Sequence, residues 1–332
     1  MVVTTDTTVV TDSLREVCAW IAARSTHVHV VEGEIARYAA ELREGDRLPS
    51  TAGEASSPSL GPASRETEAA FWLTLDAINF GSGWFPTLRK RAEATGYRTI
   101  AAGIRRRFEE AGRWTPAQLV GLDGAQLAGW IDQEPEHELV GLMVESLRDL
   151  GENVQRLYGA SFAAVVDRAG GSAIQLVETL AGWRCFADVS VYDGRRVPFL
   201  KRAQIAAADL HRDGVADFGD LERLTMFADN LVPHVLRLDG VLWFDPDLVA
   251  RIERGDLIEH GSPEEVEIRA CAVHAVELIV AAARSGPARA SAAAGDAPAH
   301  PTAAQIDEIL WNRGQAPEYK AVPRHRSRST AY

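Results

Sequence analysis

The sequence is poor in several features on which common protein classes depend. Its three cysteines, Cys18, Cys185 and Cys271, are odd in number and far apart, which argues against a disulfide framework and a structural zinc site. No uncharged apolar run reaches membrane-spanning length, and the N-terminus lacks a basic segment followed by an apolar one. We therefore expect a cytoplasmic protein with buried free thiols and no membrane partner.

Positive charge is also scarce, because 35 Lys and Arg face 47 Asp and Glu and give a net charge of -12. Such a surface repels polyanions, so no stable nucleic-acid partner is expected. The glycine-rich dinucleotide fingerprint, the P-loop, the zinc-protease H-E-x-x-H and the hydrolase G-x-S-x-G are all missing. These absences remove the common nucleotide-binding, zinc-protease and serine-hydrolase signatures.

The chain does have enough apolar residues for a core, since 46% of its 332 residues are hydrophobic. Their helical spacing predicts a mainly α protein. Capping boxes at Thr115/Gln118, Asp123/Gln126 and Ser262/Glu265 mark helix starts, the last of them opening a long helix to about Arg284. Asp193-Gly194, between short apolar arms, predicts the one clear β-hairpin.

Loops and short strands are predicted from composition. Residues 43–65 and 285–302 are rich in small residues and proline and read as surface loops, and residues 1–11 as a flexible N-terminus. Residues 27–31 alternate like a short strand that carries His27 and His29. No further ligand cluster lies near these histidines, so a metal site is not favoured.

The stretch Leu221–Leu238 organises the rest of the interpretation. It begins as a short amphipathic turn, breaks, and resumes as an apolar helix with Asp229 at its start. Asp229 is then either an N-cap that accepts hydrogen bonds from the first amides of the helix, or a carboxylate that acts on a substrate.

Two further segments allow both a structural and a functional interpretation. Asn79–Pro86 places two glycines beside three aromatic residues, which favours a tight turn filled by core aromatics over a platform for a flat ligand. Lys201 and Arg202 begin a predicted helix, where two cations oppose the helix dipole. A bound anion would resolve that conflict, and a solvated pair is the alternative.

Several separate motifs resemble the queuosine salvage family, the queuosine 5'-phosphate N-glycosylases. They are FADNLVPHVL, LKRAQIAAADL, EEVEIRACAVHAVELI, ILWN with VPRHR, DAINFGSGWFPTLRK and YGASFAAVV. They occur in order over nearly the whole chain from about residue 12. The resemblance implies one domain over residues 12–332, with a helical fold similar to that of helix-hairpin-helix DNA glycosylases.

The resemblance also implies an activity, which is hydrolysis of the N-glycosidic bond of queuosine 5'-monophosphate to queuine and ribose 5-phosphate, without metal or organic cofactor. The catalytic aspartate of the FAD motif carries over to Asp229. The chain departs from the family at Asn230, where Tyr is usual, and at Asn312, which replaces the last acid of D-x-x-L-W-D. These departures bear on one pocket wall and on a charge contact.

Queuine is a 7-deazaguanine with a secondary ammonium and a cyclopentene diol, and these groups suggest roles for the remaining candidates. The base lacks the nitrogen that acid catalysis of purine release protonates, so a carboxylate that stabilises the ribosyl cation is the main requirement. Predicted substrate contacts are Asp307 for the ammonium, Asn312 and Asn79 for the diol or base edge, Phe227 and Trp84 for stacking, and Met226 and Trp311 as further pocket residues. Predicted phosphate contacts are Lys201 first, then Arg202 and His325.

Three alternatives stay open from the sequence. A glycosylase acting on another 7-deazaguanine nucleotide would keep the same carboxylate. A glycosylase acting on a nucleic-acid base would also keep it but needs a basic face, against which the net charge of -12 counts. A non-catalytic helical binding module would not need Asp229 for its function.

Overall fold

A computed structural model describes residues 9–45, 60, 63–91, 94–285 and 300–332 of the chain. Within them the protein is mainly helical, as predicted, with fifteen α-helices and two small sheets. The predicted N-terminal segment 1–11 and the loops 43–65 and 285–302 lie largely outside the described residues. No helix in the described part of the chain is both long and apolar enough to cross a bilayer.

The helices in chain order are α1 (Val10–Ala22), α2 (Glu32–Gly45), α3 (Arg65–Ala77), α4 (Gly96–Ala111), α5 (Pro116–Val120), α6 (Gly124–Ile131), α7 (Glu138–Leu157), α8 (Phe162–Arg168), α9 (Ala173–Ala181), α10 (Lys201–Arg212), α11 (Val232–Leu238), α12 (Pro246–Glu253), α13 (Pro263–Ser285), α14 (Ala303–Arg313) and α15 (Pro317–Lys320). The strands are β1 (Val28–Val30), β2 (Ser190–Tyr192), β3 (Arg195–Val197) and β4 (Leu242–Phe244). Short 3₁₀ turns lie at Phe85–Thr87, Arg184–Phe186 and Leu221–Arg223.

Local capping explains where several of these helices begin. Thr115 caps α5 and Asp123 caps α6, and each forms the reciprocal pair of hydrogen bonds of a capping box with the glutamine three residues later. Both boxes were predicted. The box predicted at Ser262 forms only in part: Ser262 accepts a hydrogen bond from the Glu265 amide, whereas the Glu265 carboxylate accepts from the Gly261 amide and not from that of Ser262.

The predicted hairpin is confirmed as β2 and β3, which pair antiparallel with Ser190 opposite Val197. Its turn residues Asp193 and Gly194 have φ of 46° and 76°, the conformation that two-residue hairpin turns require. A second sheet pairs β1 with β4. The strand near residues 28–30 was predicted, whereas β4 has too few residues for a recognisable alternation, so its pairing was not.

The chain forms two compact units, each drawn from three separated segments. The first takes the described residues of Met1–Leu48, Val189–Phe199 and Glu222–His325. Its centre is α13, which packs against α1, α2, α11, α14 and β1. Most of α13 is buried around its full circumference, as expected for a helix enclosed by others.

The second unit takes the described residues of Pro49–Asp188, Leu200–Leu221 and Arg326–Tyr332. Here α3 is central, because every residue from Ala69 to Ala77 is buried, and it packs against α4, α7, α8 and α10. The single domain over residues 12–332 and the similarity to helix-hairpin-helix glycosylases stay predictions.

Candidate functional site

An extended segment before α11 presents two of the predicted site residues. Between the turn at Leu221–Arg223 and α11 the backbone is not helical. Burial alternates along it, with Met226, Ala228 and Asn230 buried and Phe227 and Asp229 partly exposed. Phe227 and Asp229 are therefore the two residues of Met226–Asn230 that solvent can reach.

Three polar contacts hold this segment in place, each from a different part of the first unit. Asp307 of α14 accepts a hydrogen bond from the Phe227 amide at 2.9 Å. Arg269 of α13 donates through Nε to the Ala228 carbonyl at 2.9 Å. The Asn230 side chain donates to the His325 carbonyl at 3.1 Å. The backbone on both sides of Asp229 is thus fixed by buried side chains.

The two carboxylate oxygens of Asp229 have different surroundings. Oδ1 accepts hydrogen bonds from the Leu231 and Val232 amides, at 2.8 and 3.2 Å. Asp229 thus accepts hydrogen bonds from amides at the start of α11, as the structural interpretation expects, but the N-cap residue of the helix is Leu231 and not Asp229. Oδ2 makes no hydrogen bond within the described residues, and the side chain remains partly accessible. The capping role consequently leaves one oxygen available for chemistry.

Arg269 is itself fixed by a buried ion pair and an aromatic ring. Its guanidinium lies 3.9 Å from the centre of the Phe199 ring and 3.5 Å from the Glu265 carboxylate, and both charged residues are fully buried. Burial alone would raise the pKa of the Glu265 carboxyl, but Arg269, His260 and the Gly261 amide outweigh it and lower that pKa to about 2. The pair stays ionised at neutral pH and anchors the Ala228 carbonyl.

An arginine and a histidine that follow α15, Arg324 and His325, and a histidine of α11, His234, lie close to one another. Burial lowers the pKa of His325 to about 3 and that of His234 to about 4, so both imidazoles are neutral at pH 7. His325 can therefore contact a phosphate only through a neutral hydrogen bond. Burial also lowers the pKa of Arg324, while the nearby negative charge of Asp229 raises it.

The other predicted residues of this unit differ in accessibility. Met226 is fully buried in the apolar core, which favours packing over substrate contact. Asp307 is 5% exposed, and one of its oxygens holds the Phe227 amide. Trp311 is partly buried against the same core, one turn after Asp307 on α14, whereas Asn312 is exposed.

In the second unit the structure brings Lys201 and Asn79 together. The Lys201 ammonium, on a side chain that is 5% exposed, donates to the Asn79 carbonyl at 3.0 Å and to its side-chain oxygen at 3.3 Å. The Lys201 amide donates to the Asp188 carboxylate at 3.0 Å. Lys201 therefore begins α10 as a buried, oriented cation rather than a solvated one.

Arg202 and Trp84 are built into the core of the second unit. Arg202 donates to the Ala77 carbonyl, lies over the Phe80 and Phe186 rings, and has a pKa lowered to about 10 by burial. Trp84 is 4% exposed and donates to Glu138 at 2.7 Å. These contacts favour structural roles over the predicted phosphate contact and stacking platform.

Sequence reasoning did not single out Arg269 or Arg324 as site residues. Arg269 follows two buried glutamates, Glu265 and Glu267, on α13 and is itself fully buried. Charged residues on the buried face of a helix need partners, and that was the available signal. The partner of Arg269 is a carbonyl 41 residues earlier, which the spacing of residues does not indicate.

Comparison with known proteins gives one consistent picture. The family model described as "Queuosine salvage protein" matches residues 60–332. The queuosine 5'-phosphate N-glycosylase/hydrolase of Sphaerobacter thermophilus is 36% identical over 277 residues, covering 81% of this chain and 82% of that protein. The protein of the same name from Mus musculus is 29% identical over 343 residues, covering 96% and 98%. That from Schizosaccharomyces pombe is 29% identical over 289 residues, covering 79% and 83%.

Proposed function

The chain belongs to the queuosine salvage family, and from this we propose that it hydrolyses the N-glycosidic bond of queuosine 5'-monophosphate. The products are queuine and ribose 5-phosphate. The single observation that carries the proposal is the Asp229 carboxylate, with one oxygen held by two amides and the other free of hydrogen bonds within the described residues.

The chemistry of the substrate explains why such a carboxylate is needed. Cleavage of the bond between the base nitrogen and the anomeric carbon leaves positive charge on the ribosyl group. Asp229 Oδ2 stabilises that charge, either electrostatically or through a transient ester. Water then supplies its oxygen to the anomeric carbon, and the leaving base takes up a proton. The fixed backbone around Asp229 keeps the carboxylate in position during these steps.

The neighbouring accessible residue suggests how the base is held. Phe227 lies two residues before Asp229 and is also partly exposed, and we assign its ring to stacking on the base. Asp307 supports this geometry through the Phe227 amide, and its pairing with the queuine ammonium remains part of the proposal. The same holds for contacts from Trp311 and Asn312.

For the second unit, a phosphate contact from Lys201 and a substrate contact from Asn79 remain predictions from the sequence. The buried ammonium at the first residue of α10 supports this role, because a helix N-terminus favours an anion. Leu200, directly before it, has a φ of 50°. That left-handed conformation is uncommon outside glycine and is concentrated at functional sites.

The net charge of -12 supports a free nucleotide as the substrate rather than an intact nucleic acid. It also disfavours the base-excising alternative, which requires a basic face.

Substitution of Asp229 tests the proposal directly. Asp229→Asn keeps a side-chain oxygen that can accept the Leu231 and Val232 hydrogen bonds, since Asn is as good a cap as Asp. We expect a folded protein whose release of queuine falls by at least about 1000-fold, as for loss of a principal electrostatic group. Mass spectrometry of released queuine measures it.

Asp229→Ala separates the two roles of this residue. It should lose activity equally and, because the cap is also gone, about 1 kcal/mol of unfolding free energy. Asp123→Ala, which removes the cap of α6, is the matched control and should lose stability alone. Full activity in Asp229→Asn would contradict the assignment of Asp229 as the catalytic carboxylate.

A further inference from the structure

Backbone carbonyls of α15 and of the segment that follows it contact side chains of α11 and of Asn230. The Tyr319 carbonyl lies 3.0 Å from His234 Nε2, the Pro323 carbonyl accepts from Arg237 at 3.4 Å, and the His325 carbonyl accepts from Asn230 at 3.1 Å. The last contact comes from the residue next to Asp229. The residues on either side of Arg324, Pro323 and His325, are therefore both held by hydrogen bonds, and the segment runs toward the Asp229 end of α11.

The Arg324 guanidinium is exceptional among the arginines around α11. Within the described residues it makes no hydrogen bond and no ion pair, although it is partly buried. By contrast, Arg269 is held by Glu265 and the Ala228 carbonyl, and Arg313 by Asp239. The Arg324 nitrogens stay accessible to solvent, so an anionic ligand can reach them and form charge-assisted hydrogen bonds.

We propose that Arg324 binds the 5'-phosphate of the nucleotide whose anomeric carbon Asp229 engages. This rests on the proposed function and adds a specificity residue to it. The Asp229 carboxylate and the Arg324 guanidinium are close enough to interact. In the transition state of bond cleavage the ribosyl 5-phosphate group carries matching charges, positive at the anomeric carbon and negative on the phosphate at the other end of the sugar. The planar guanidinium can hold two phosphate oxygens at once.

The neutral state of His234 and His325 supports the assignment of the phosphate to Arg324. Arg324 itself contributes to keeping both imidazoles uncharged, together with their burial. The positive charge contributed here by residues 324 and 325 therefore resides on Arg324. His325 then serves through its backbone carbonyl, which positions the segment by accepting the Asn230 hydrogen bond.

The first test compares hydrolysis of queuosine 5'-monophosphate with that of queuosine. Arg324→Gln should lower kcat/KM for the nucleotide about 10- to 100-fold more than for the nucleoside, the loss expected for a charged hydrogen bond. Arg324→Lys, which keeps the charge but not the paired donors, should fall between parent and Arg324→Gln. Arg328→Gln, whose guanidinium already pairs with Glu138, is the matched control and should leave the substrate ratio unchanged.

An equal loss with both substrates would overturn the proposal, because it would mean that Arg324 acts on the charge of Asp229 instead. Parental kcat/KM values with both substrates in Arg324→Gln would overturn it as well. Circular dichroism establishes that the variants are folded, and Arg324→Lys serves for the comparison if Arg324→Gln does not fold.

The second test does not depend on turnover. Calorimetric titration with ribose 5-phosphate should show binding to the parent that weakens about 10-fold or more in Arg324→Gln. Equal affinity in the two proteins would overturn the proposal. If the parent releases queuine from neither substrate, the proposed function fails, and this titration still decides whether Arg324 binds the sugar phosphate.

Discussion

Asp229 shows how one side chain can serve stability and chemistry together. Its Oδ1 satisfies two amides at the start of α11, and the same contacts restrict the rotation of the carboxylate. A carboxylate oriented in advance costs less reorganisation in the transition state than a mobile one. The cap and the catalyst are therefore not competing interpretations of this residue, because the first provides the geometry for the second.

Arg269 is the residue through which that geometry can be disturbed without touching Asp229. Arg269→Lys keeps a positive charge beside Glu265 but loses the Nε donor to the Ala228 carbonyl and the flat contact with Phe199. We expect kcat to fall about 10-fold with KM changed far less, because a shift of about 1 Å in a catalytic group reduces rate strongly.

Steady-state kinetics and urea unfolding together measure this effect. The control is Arg107→Lys, a buried arginine of the second unit that bonds the Gly112 carbonyl and lies over Trp114. It should lose stability similarly and keep its kcat. If Arg269→Lys lost as much stability as Arg107→Lys and kept its kcat, Arg269 would be purely structural.

At the scale of elements, the loop after α3 needs glycine at positions 81 and 83 because the C-terminal segment packs closely against it. The Gly81 amide donates to the Tyr332 carbonyl at 3.0 Å, and Gly81 has a φ of 102°. A Cβ on Gly83 would lie 2.3 Å from the Ser327 carbonyl oxygen. A tight turn was favoured for this loop over a platform for a flat ligand, and the backbone that lies against its glycines is that of the C-terminal segment, with Tyr332 only 2% exposed.

Gly83→Ala should therefore loosen the docking of residues 326–332. The new methyl group meets backbone that cannot rotate away, so we expect a loss of about 1–3 kcal/mol of unfolding free energy. Hydrogen exchange at the Gly81 amide should accelerate as its bond to Tyr332 weakens. Urea unfolding and exchange detected by NMR or mass spectrometry check both effects.

A second glycine of the same unit provides the control for that experiment. Gly141 lies on the exposed side of α7, and a Cβ there would meet nothing within 4 Å. Gly141→Ala should stabilise the protein by about 0.5–1 kcal/mol, because alanine is the better helix former. If both substitutions stabilised, the packing of the C-terminal segment against Gly83 would be wrong.

For the whole molecule, the features that could be predicted from the sequence are those that depend on contacts between residues close together in the chain. The capping boxes and the Asp193-Gly194 turn are short-range, so they were read correctly from residues a few positions apart. The fixing of the Asp229 segment was not predictable, because its partners lie 41 to 95 residues away in the chain. Although the last residues are rich in arginine, Ser327, Ser329 and Tyr332 are buried.

The two buried histidines give the whole protein a predictable response to acid. His234 and His325 have pKa values of about 4 and 3 in the folded protein, against about 6.5 when unfolded. Below pH 6.5 the unfolded chain therefore binds more protons than the folded one, and the free energy of unfolding must fall as the pH falls. Each histidine contributes a slope of up to about 1.4 kcal/mol per pH unit between pH 6 and pH 4.

Urea unfolding measured from pH 7 to pH 4 tests this, with the double variant His234→Gln/His325→Gln expected to show a shallower decline than the parent. Glu265 does not affect the slope in the upper part of this pH range. Its folded pKa is about 2, so the stability that its ionised carboxylate contributes is lost only as the pH falls below about 4.5. His29→Gln, which removes an exposed histidine, controls for the loss of a histidine as such. A double variant with the parent's slope would show that these imidazoles protonate in the folded protein, and the neutral surroundings assigned to Arg324 would then have to be abandoned.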